Sequence, residues 1–92
     1  MDNITKKEAL KRLNYLIGHL RGVKKMLEKD RYCIDIIQQN LAVIGLLKST
    51  NLNLLENHMN CCVKKAISSQ DQSEINTKMQ EILKIVQIAQ NK

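Results

Sequence analysis

Residues 12–49 read RLNYLIGHLRGVKKMLEKDRYCIDIIQQNLAVIGLLKS, and this stretch decides the fold of the chain. It contains no proline, and apolar side chains recur every three or four residues through its first half. That spacing places them on one face of an α-helix. The face comprises Leu13, Leu16, Leu20, Val23 and Leu27. We therefore expect two long amphipathic helices joined by a short turn.

The flanking sequence extends these two helices and adds a third. The first is predicted over about residues 5–29, because TKKE fits a capping box with Thr5 as the N-cap. The second is predicted over about residues 31–67, with Asp30 as its N-cap. The third is predicted over about residues 73–90, after a polar connector. The buried side of the second helix is expected to comprise Ile37, Leu41, Ile44, Leu47, Leu55, Met59 and Val63.

The third helix has capping candidates in Asp71 and Ser73 and a heptad-like apolar pattern. A helix this short needs a partner surface to be stable. Its apolar positions are Ile75, Met79, Ile82, Val86 and Ala89.

The composition is typical of a small all-α protein. The 92 residues suit one domain, predicted over 1–92, whose core is small enough that oligomerisation is a common remedy. We find no signal peptide, and the longest apolar run, LAVIGLL at residues 41–47, is too short to span a bilayer. We therefore expect no membrane partner and a cytoplasmic location, where thiols stay reduced.

The formal charge of +6 is concentrated in the first third of the chain. Residues 1–31 hold nine Lys/Arg and four Asp/Glu. Such a segment favours a polyanionic partner, most often nucleic acid, although a solvated lysine-rich helix face has the same composition. On this pattern Arg21, Lys24 and Lys25 are candidate DNA contacts.

His58 and Cys62 stand four residues apart, so a helix presents both to one side. Imidazole and thiolate together suit Cu(I) or Zn(II), but two ligands are too few to bind a metal ion tightly. Cys33, in the first turn of the second helix, lies about 37 Å from His58 along that helix. An antiparallel dimer brings Cys33 of one protomer to His58 and Cys62 of its partner, twice by symmetry. Three donors favour trigonal Cu(I), since zinc usually takes a fourth.

The same residues have a purely structural interpretation. Cys33 and Cys62 behave equally well as small buried apolar side chains, with His58 as an interfacial histidine. Cys61 lies about 100° around the helix from Cys62, which makes it a packing residue or, alternatively, an oxidisable neighbour or spare ligand. No acid/base pair or phosphate loop is evident elsewhere, so an enzyme is not expected.

Residues 12–49, followed by LLENHMNCCVKKA at residues 54–66, resemble the CsoR/RcnR family of metal-sensing repressors over roughly residues 8–88. The resemblance implies a three-helix protomer, an antiparallel dimer whose first two helices form a four-helix bundle, and a dimer of dimers. It also implies a repressor that binds operator DNA when metal-free and is released on Cu(I) binding, which derepresses copper efflux and resistance genes.

The ligand set distinguishes branches of this family. Its copper sensors carry Cys, His and Cys, which match Cys33, His58 and Cys62. Its nickel/cobalt sensors add an N-terminal His and end on His, its formaldehyde sensors lack the last Cys, and its persulfide sensors lack the His. The resemblance therefore favours the copper-sensing branch, with Cu(I) as the cofactor.

The resemblance further implies two residues that support the ligands, a Tyr beside the first Cys and a Glu on the third helix. Tyr32 matches the Tyr. Lys78 stands 20 residues after His58, where the Glu is expected. Glu74 or Glu81 substitutes only if the connector differs by a gap.

The resemblance assigns DNA contacts to Arg12 and Lys6, and a third basic position falls on Ser49, next to Lys48. Two alternatives stay open. One is a repressor that senses another metal, or thiol chemistry through a bridge between Cys33 and Cys62. The other is a cytosolic metal-binding bundle without a role on DNA.

Overall fold

The computed structural model describes residues 1–90, and every regular element in that part of the chain is helical. The predicted all-α class is therefore confirmed. Among these residues no helix combines the length and hydrophobicity that a bilayer crossing requires. The elements are α1 (Asn3–Glu28), α2 (Cys33–His58), a π-helical segment (Met59–Val63), α3 (Lys64–Ser68) and α4 (Gln72–Gln90).

The helix predicted over residues 31–67 is present as α2, the π-helical segment and α3 in direct succession. The backbone stays helical at both junctions, with φ/ψ of −60°/−43° at His58 and −59°/−40° at Lys64. The sequence pattern did not predict the π-helical turn between them. Such turns in otherwise α-helical segments occur frequently at functional sites.

The chain forms two compact units, Met1–Leu55 and Glu56–Lys92. In the first unit, α1 and the part of α2 up to Leu55 run antiparallel. Two cross-helix contacts set this direction, since they join Arg12 to Ser49 and His19 to Gln39. The prediction of one domain over residues 1–92 stays a prediction.

Asp2 is the N-cap of α1, so the prediction of Thr5 was wrong. The Asp2 carboxylate accepts hydrogen bonds from the Thr5 backbone N–H at 2.7 Å and from the Thr5 hydroxyl at 3.1 Å. Its carbonyl accepts from the Lys6 N–H at 3.1 Å. The aspartate satisfies the first amide groups of the helix, which therefore begins two residues earlier than predicted.

Asp30 ends α1 and does not cap α2, which corrects a second capping prediction. Its φ of 52° is left-handed, and its N–H donates to the Leu27 carbonyl at 3.1 Å. The next N–H, from Arg31, donates to the Met26 carbonyl at 3.0 Å. This pair of bonds is a Schellman motif, with Asp in the position that glycine usually takes. Cys33 then begins α2, within its first turn as expected.

The core of the first unit uses positions seven residues apart on each helix. α1 contributes Leu16 and Val23, which are 4% and 6% exposed. α2 contributes Ile36, Val43 and Thr50. The Thr50 hydroxyl is accommodated because it donates to the Leu46 carbonyl at 3.0 Å.

The side of α2 that the sequence predicts as buried is largely exposed in the protomer. Ile37, Leu41 and Ile44 are 51%, 59% and 48% exposed. α2 carries two adjacent apolar stripes, and its partner α1 covers only the one that contains Val43. α1 likewise leaves Leu13, Leu20 and Leu27 exposed. We call this uncovered set the apolar stripe: Leu13, Leu20, Leu27, Ile37, Leu41 and Ile44.

The second unit packs α4 against α3 and the π-helical segment. Val63 and Ala66 are buried there, while Ile75 and Ile82 of α4 are half-buried. Of the two capping candidates, Asp71 caps α4 and Ser73 does not, because Asp71 Oδ1 accepts from the N–H groups of Ser73 at 3.0 Å and Glu74 at 3.4 Å. This packing fixes α4 beside the residues that follow α2.

Candidate metal centre

His58 and Cys62 lie on either side of the start of the π-helical segment. His58 is the last residue of α2, and Cys62 is the fourth residue of the segment. Both side chains are half-buried, whereas Cys61 is exposed. Residues four apart lie about one helical turn from each other, so the imidazole and the thiol occupy neighbouring positions.

Cys33, the third predicted ligand, is the first residue of α2 and is exposed. The Tyr32 carbonyl accepts from the N–H groups of Asp35 and Ile36 at 3.1 and 3.3 Å, which secures the first turn. All three cysteines are free thiols. Within residues 1–90 of one protomer, no group of three or more His, Cys, Asp or Glu residues forms a metal-binding cluster. The three-ligand site therefore stays a prediction that requires a second protomer.

Glu81 of α4 lies beside His58. Its Oε2 is 3.8 Å from His58 Nε2, and the two side chains are 32% and 49% exposed for His58 and Glu81. The sequence suggested Glu81 only through a gap in the connector, because it stands 23 residues after His58 instead of 20. Glu81 reaches His58 without any gap in the connector, because it lies three residues after Lys78 and therefore on the same face of α4.

Lys78 contacts the other oxygen of the same carboxylate. Lys78 Nζ is 3.7 Å from Glu81 Oε1, and the lysine side chain is only 24% exposed. The carboxylate therefore has His58 on one side and an ammonium group on the other. Tyr32, the other predicted supporting residue, is 67% exposed in the protomer.

The predicted DNA contacts divide into two groups. Five are exposed and form no ion pair within the described part of the chain, namely Lys6, Arg21, Lys24, Lys25 and Lys48. Arg12 is different, because it is half-buried and bound to α2. Its Nη1 donates to the Ser49 hydroxyl at 3.2 Å. The orientation of the Asn53 amide is assigned from its hydrogen bonds, and in that orientation the amide oxygen accepts from Arg12 Nη1 at 2.6 Å and from Nη2 at 3.1 Å.

Sequence reasoning missed Asn53 as a partner of Arg12. The available signal was the pair of polar side chains four residues apart, Ser49 and Asn53, which lie on one face of α2. His19 was also unassigned, and its Nε2 lies within hydrogen-bonding distance, 2.8 Å, of Gln39 Oε1.

Comparison with known proteins gives concordant relatives. The copper-sensing transcriptional repressor RicR of Mycobacterium tuberculosis is 45% identical over 58 residues, which cover 63% of this chain and 60% of RicR. The copper-sensing transcriptional repressor CsoR of Bacillus subtilis is 38% identical over 79 residues, which cover 86% of this chain and 78% of that protein. The chain thus spans only about three fifths of the length of RicR, and 78% of the length of that CsoR.

Two solved structures share the fold. The copper-sensing repressor CsoR with Cu(I) from Geobacillus thermodenitrificans superposes with a TM-score of 0.87 at 35% identity, covering 98% of this chain and 92% of that one. The nickel-responsive transcriptional regulator InrS superposes with a TM-score of 0.75 at 31% identity, covering 85% and 88%. All four names describe regulators, in agreement with the expectation that the chain is not an enzyme. The model of the metal-sensitive transcriptional repressor family matches residues 5–88, and the chain therefore belongs to that family.

Proposed function

We propose that this protein is a cytoplasmic Cu(I)-responsive repressor, which binds operator DNA when metal-free and is released when Cu(I) binds. The observation that carries the proposal is the pairing of His58 and Cys62 at the π-helical segment, with Glu81 3.8 Å from the imidazole. Relatives named as copper-sensing repressors support the same assignment.

The donor set suits Cu(I). Cys33, His58 and Cys62 would hold the ion through two thiolates and one imidazole, a soft set that Cu(I) accepts in three-coordinate form. A neighbouring carboxylate such as Glu81 orients a ligand imidazole and makes it a better donor. Glu81 therefore acts on His58 and not as a further ligand.

The site requires two protomers in this proposal. Cys33 begins α2 and His58 ends it, and a helix of this length separates its ends by about 37 Å. The apolar stripe supports an antiparallel dimer, since its leucine and isoleucine side chains are about half exposed in one protomer. In that dimer the start of one α2 lies beside the end of the other, and two such dimers form the tetramer.

The DNA-binding surface is assigned to the exposed basic residues and to Arg12. A tetramer repeats these residues four times, so phosphate contacts make binding steeply dependent on salt. The metal-loaded conformation of the oligomer binds operator DNA poorly. By reciprocity, the DNA-bound protein has a lower affinity for Cu(I) by the same factor.

The direct test combines a Cu(I) titration with DNA binding under anaerobic conditions. We expect one Cu(I) per protomer, two sulfurs and one nitrogen in the X-ray absorption spectrum, and loss of DNA affinity on loading. Cys33→Ala should bind DNA as the unaltered protein does and fail to respond to Cu(I). Copper-induced release by that variant would sink the assignment, and Cys61→Ala serves as the matched control that keeps the response.

A thiol-sensing repressor is the second candidate, favoured by the free thiols of Cys33 and Cys62. In that case an inter-subunit disulfide or persulfide bridge replaces the metal. Treatment with inorganic polysulfide, whose sulfane sulfur accepts the two electrons released when two thiols form a bridge, followed by intact mass analysis without reductant distinguishes the two. A bridged dimer that releases DNA without copper would support thiol sensing, and an unmodified protein that still responds to Cu(I) would exclude it.

A further inference from the structure

The Glu81 carboxylate lies between two side chains. Its Oε2 faces His58 at 3.8 Å, and its Oε1 faces Lys78 at 3.7 Å. Each partner takes a different oxygen, so the two contacts do not compete for the same atom. Both can therefore persist together and constrain the orientation of the carboxylate.

Glu81 would be poorly ordered without Lys78. Its side chain is 49% exposed, and a glutamate in water loses rotamer freedom when it is held in one orientation. Lys78 is better suited to fix its orientation, because only 24% of the lysine side chain is exposed. An i,i+3 pair on α4 places the ammonium group one turn before the carboxylate.

We propose that Lys78 is a positioning residue, which holds the Glu81 carboxylate beside His58 and thereby sets how strongly metal binding is coupled to DNA release. The inference rests on the proposed function for its effect on DNA. Its structural part, the dependence of the contact between His58 and Glu81 on Lys78, concerns the metal-free protein alone.

The variants separate the charge of Lys78 from its bulk. Lys78→Met removes the ammonium group and keeps an unbranched stem with high helix propensity, and Lys78→Arg keeps the positive charge. Lys84 offers the matched control, because it also lies three residues from Glu81 on α4 but forms no ion pair with it within the described residues. Lys84→Met therefore removes an equivalent charge without disturbing the contacts of Glu81 with His58 and Lys78.

The first measurement is the chemical shift of the His58 ring nitrogens in the metal-free protein, at an alkaline pH where the ring is neutral in every variant, so that the shifts report the contact of the ring with Glu81 and not its protonation. Lys78→Met and Glu81→Gln should move these shifts in the same direction. Lys84→Met and Lys78→Arg should leave them near their original values. Unchanged shifts in Lys78→Met, beside a clear change in Glu81→Gln, would overturn the inference whatever the protein does on DNA.

The second measurement is the coupling factor, the ratio of DNA affinities of the metal-free and Cu(I)-loaded proteins. We expect Lys78→Met to lower it by about threefold or more, within the range that mutations in a coupling network produce. Lys78→Arg should restore it, and Glu81→Gln should cause no further loss when Lys78 is already Met. An unaltered coupling factor in Lys78→Met would overturn the inference and leave the proposed function standing. If the unaltered protein did not release DNA when Cu(I) binds, the proposed function itself would be overturned.

Discussion

Leu41→Ala should weaken dimerisation without unfolding the protomer. The apolar stripe has three residues on α2, and Leu41 is the central one, between Ile37 and Ile44. Leu41 is 59% exposed in the single protomer, so the fold of the protomer depends little on this side chain. The proposed antiparallel dimer covers it.

The magnitude follows from the area that remains to be covered. Complete burial of a leucine side chain contributes about 1.5–3 kcal/mol. With 59% of Leu41 still exposed, covering it in the dimer contributes about 0.9–1.8 kcal/mol per protomer. Twofold symmetry counts the substitution twice, which gives about 2–3.5 kcal/mol per dimer. The dimer dissociation constant should rise about 30- to 400-fold.

Sedimentation velocity over a dilution series measures this constant, with circular dichroism to verify the helical content at each concentration. Gln38→Ala, at an exposed polar position of the same helix, is the control and should leave the constant within about twofold, as expected of a surface substitution. Equal dissociation constants for Leu41→Ala and Gln38→Ala would show that the apolar stripe is not the dimer interface.

Four further predictions follow from individual residues. Gln70→Gly should stabilise the protein by about 1 kcal/mol, because φ at this position is 59°, and a lower melting temperature would contradict the assignment of strain. Asp71→Ala should destabilise α4 by about 1 kcal/mol through loss of the N-cap, measured by urea unfolding, and an unchanged midpoint would mean that the cap contributes nothing. Cys62→Ser should abolish the tight Cu(I) site in a chelator competition while Cys61→Ser retains it, and the reverse result would exchange their roles. Lys24→Ala should weaken binding to all DNA sequences equally and lower the slope of log affinity against log salt by about one for each copy of Lys24 that contacts a phosphate, whereas an unchanged slope would remove Lys24 from the phosphate contacts.

The local part of the candidate site was predictable from the sequence. His58 and Cys62 are four residues apart, and helical periodicity places them one turn from each other whatever surrounds the helix. The position of Glu81 was predictable only with an assumed gap, because it comes from another helix. The packing of α4 against the π-helical segment decides which turn of α4 faces His58.

Arg12 illustrates the same limit on the basic surface. Its charge marks it as a candidate phosphate contact, and the resemblance assigns it that role. Its hydrogen bonds to Ser49 and Asn53 come from a helix that is distant in sequence, and no periodicity of α1 reveals them. They hold the guanidinium in one place, whereas Lys6, Lys24, Lys25 and Lys48 make no such hydrogen bond within the described residues.

The sequence by itself determined the all-α class and restricted the N-cap of α4 to Asp71 or Ser73, because spacing, propensity and caps act within a few residues. It also determined the basic first third and the identity of the donor side chains. Only the tertiary structure decided which of the two apolar stripes of α2 is buried in the protomer. Val43 and Leu41 are similarly apolar, so hydrophobicity cannot distinguish them. The contact with α1 covers one and leaves the other exposed, since a helix can pack only one side against a single partner.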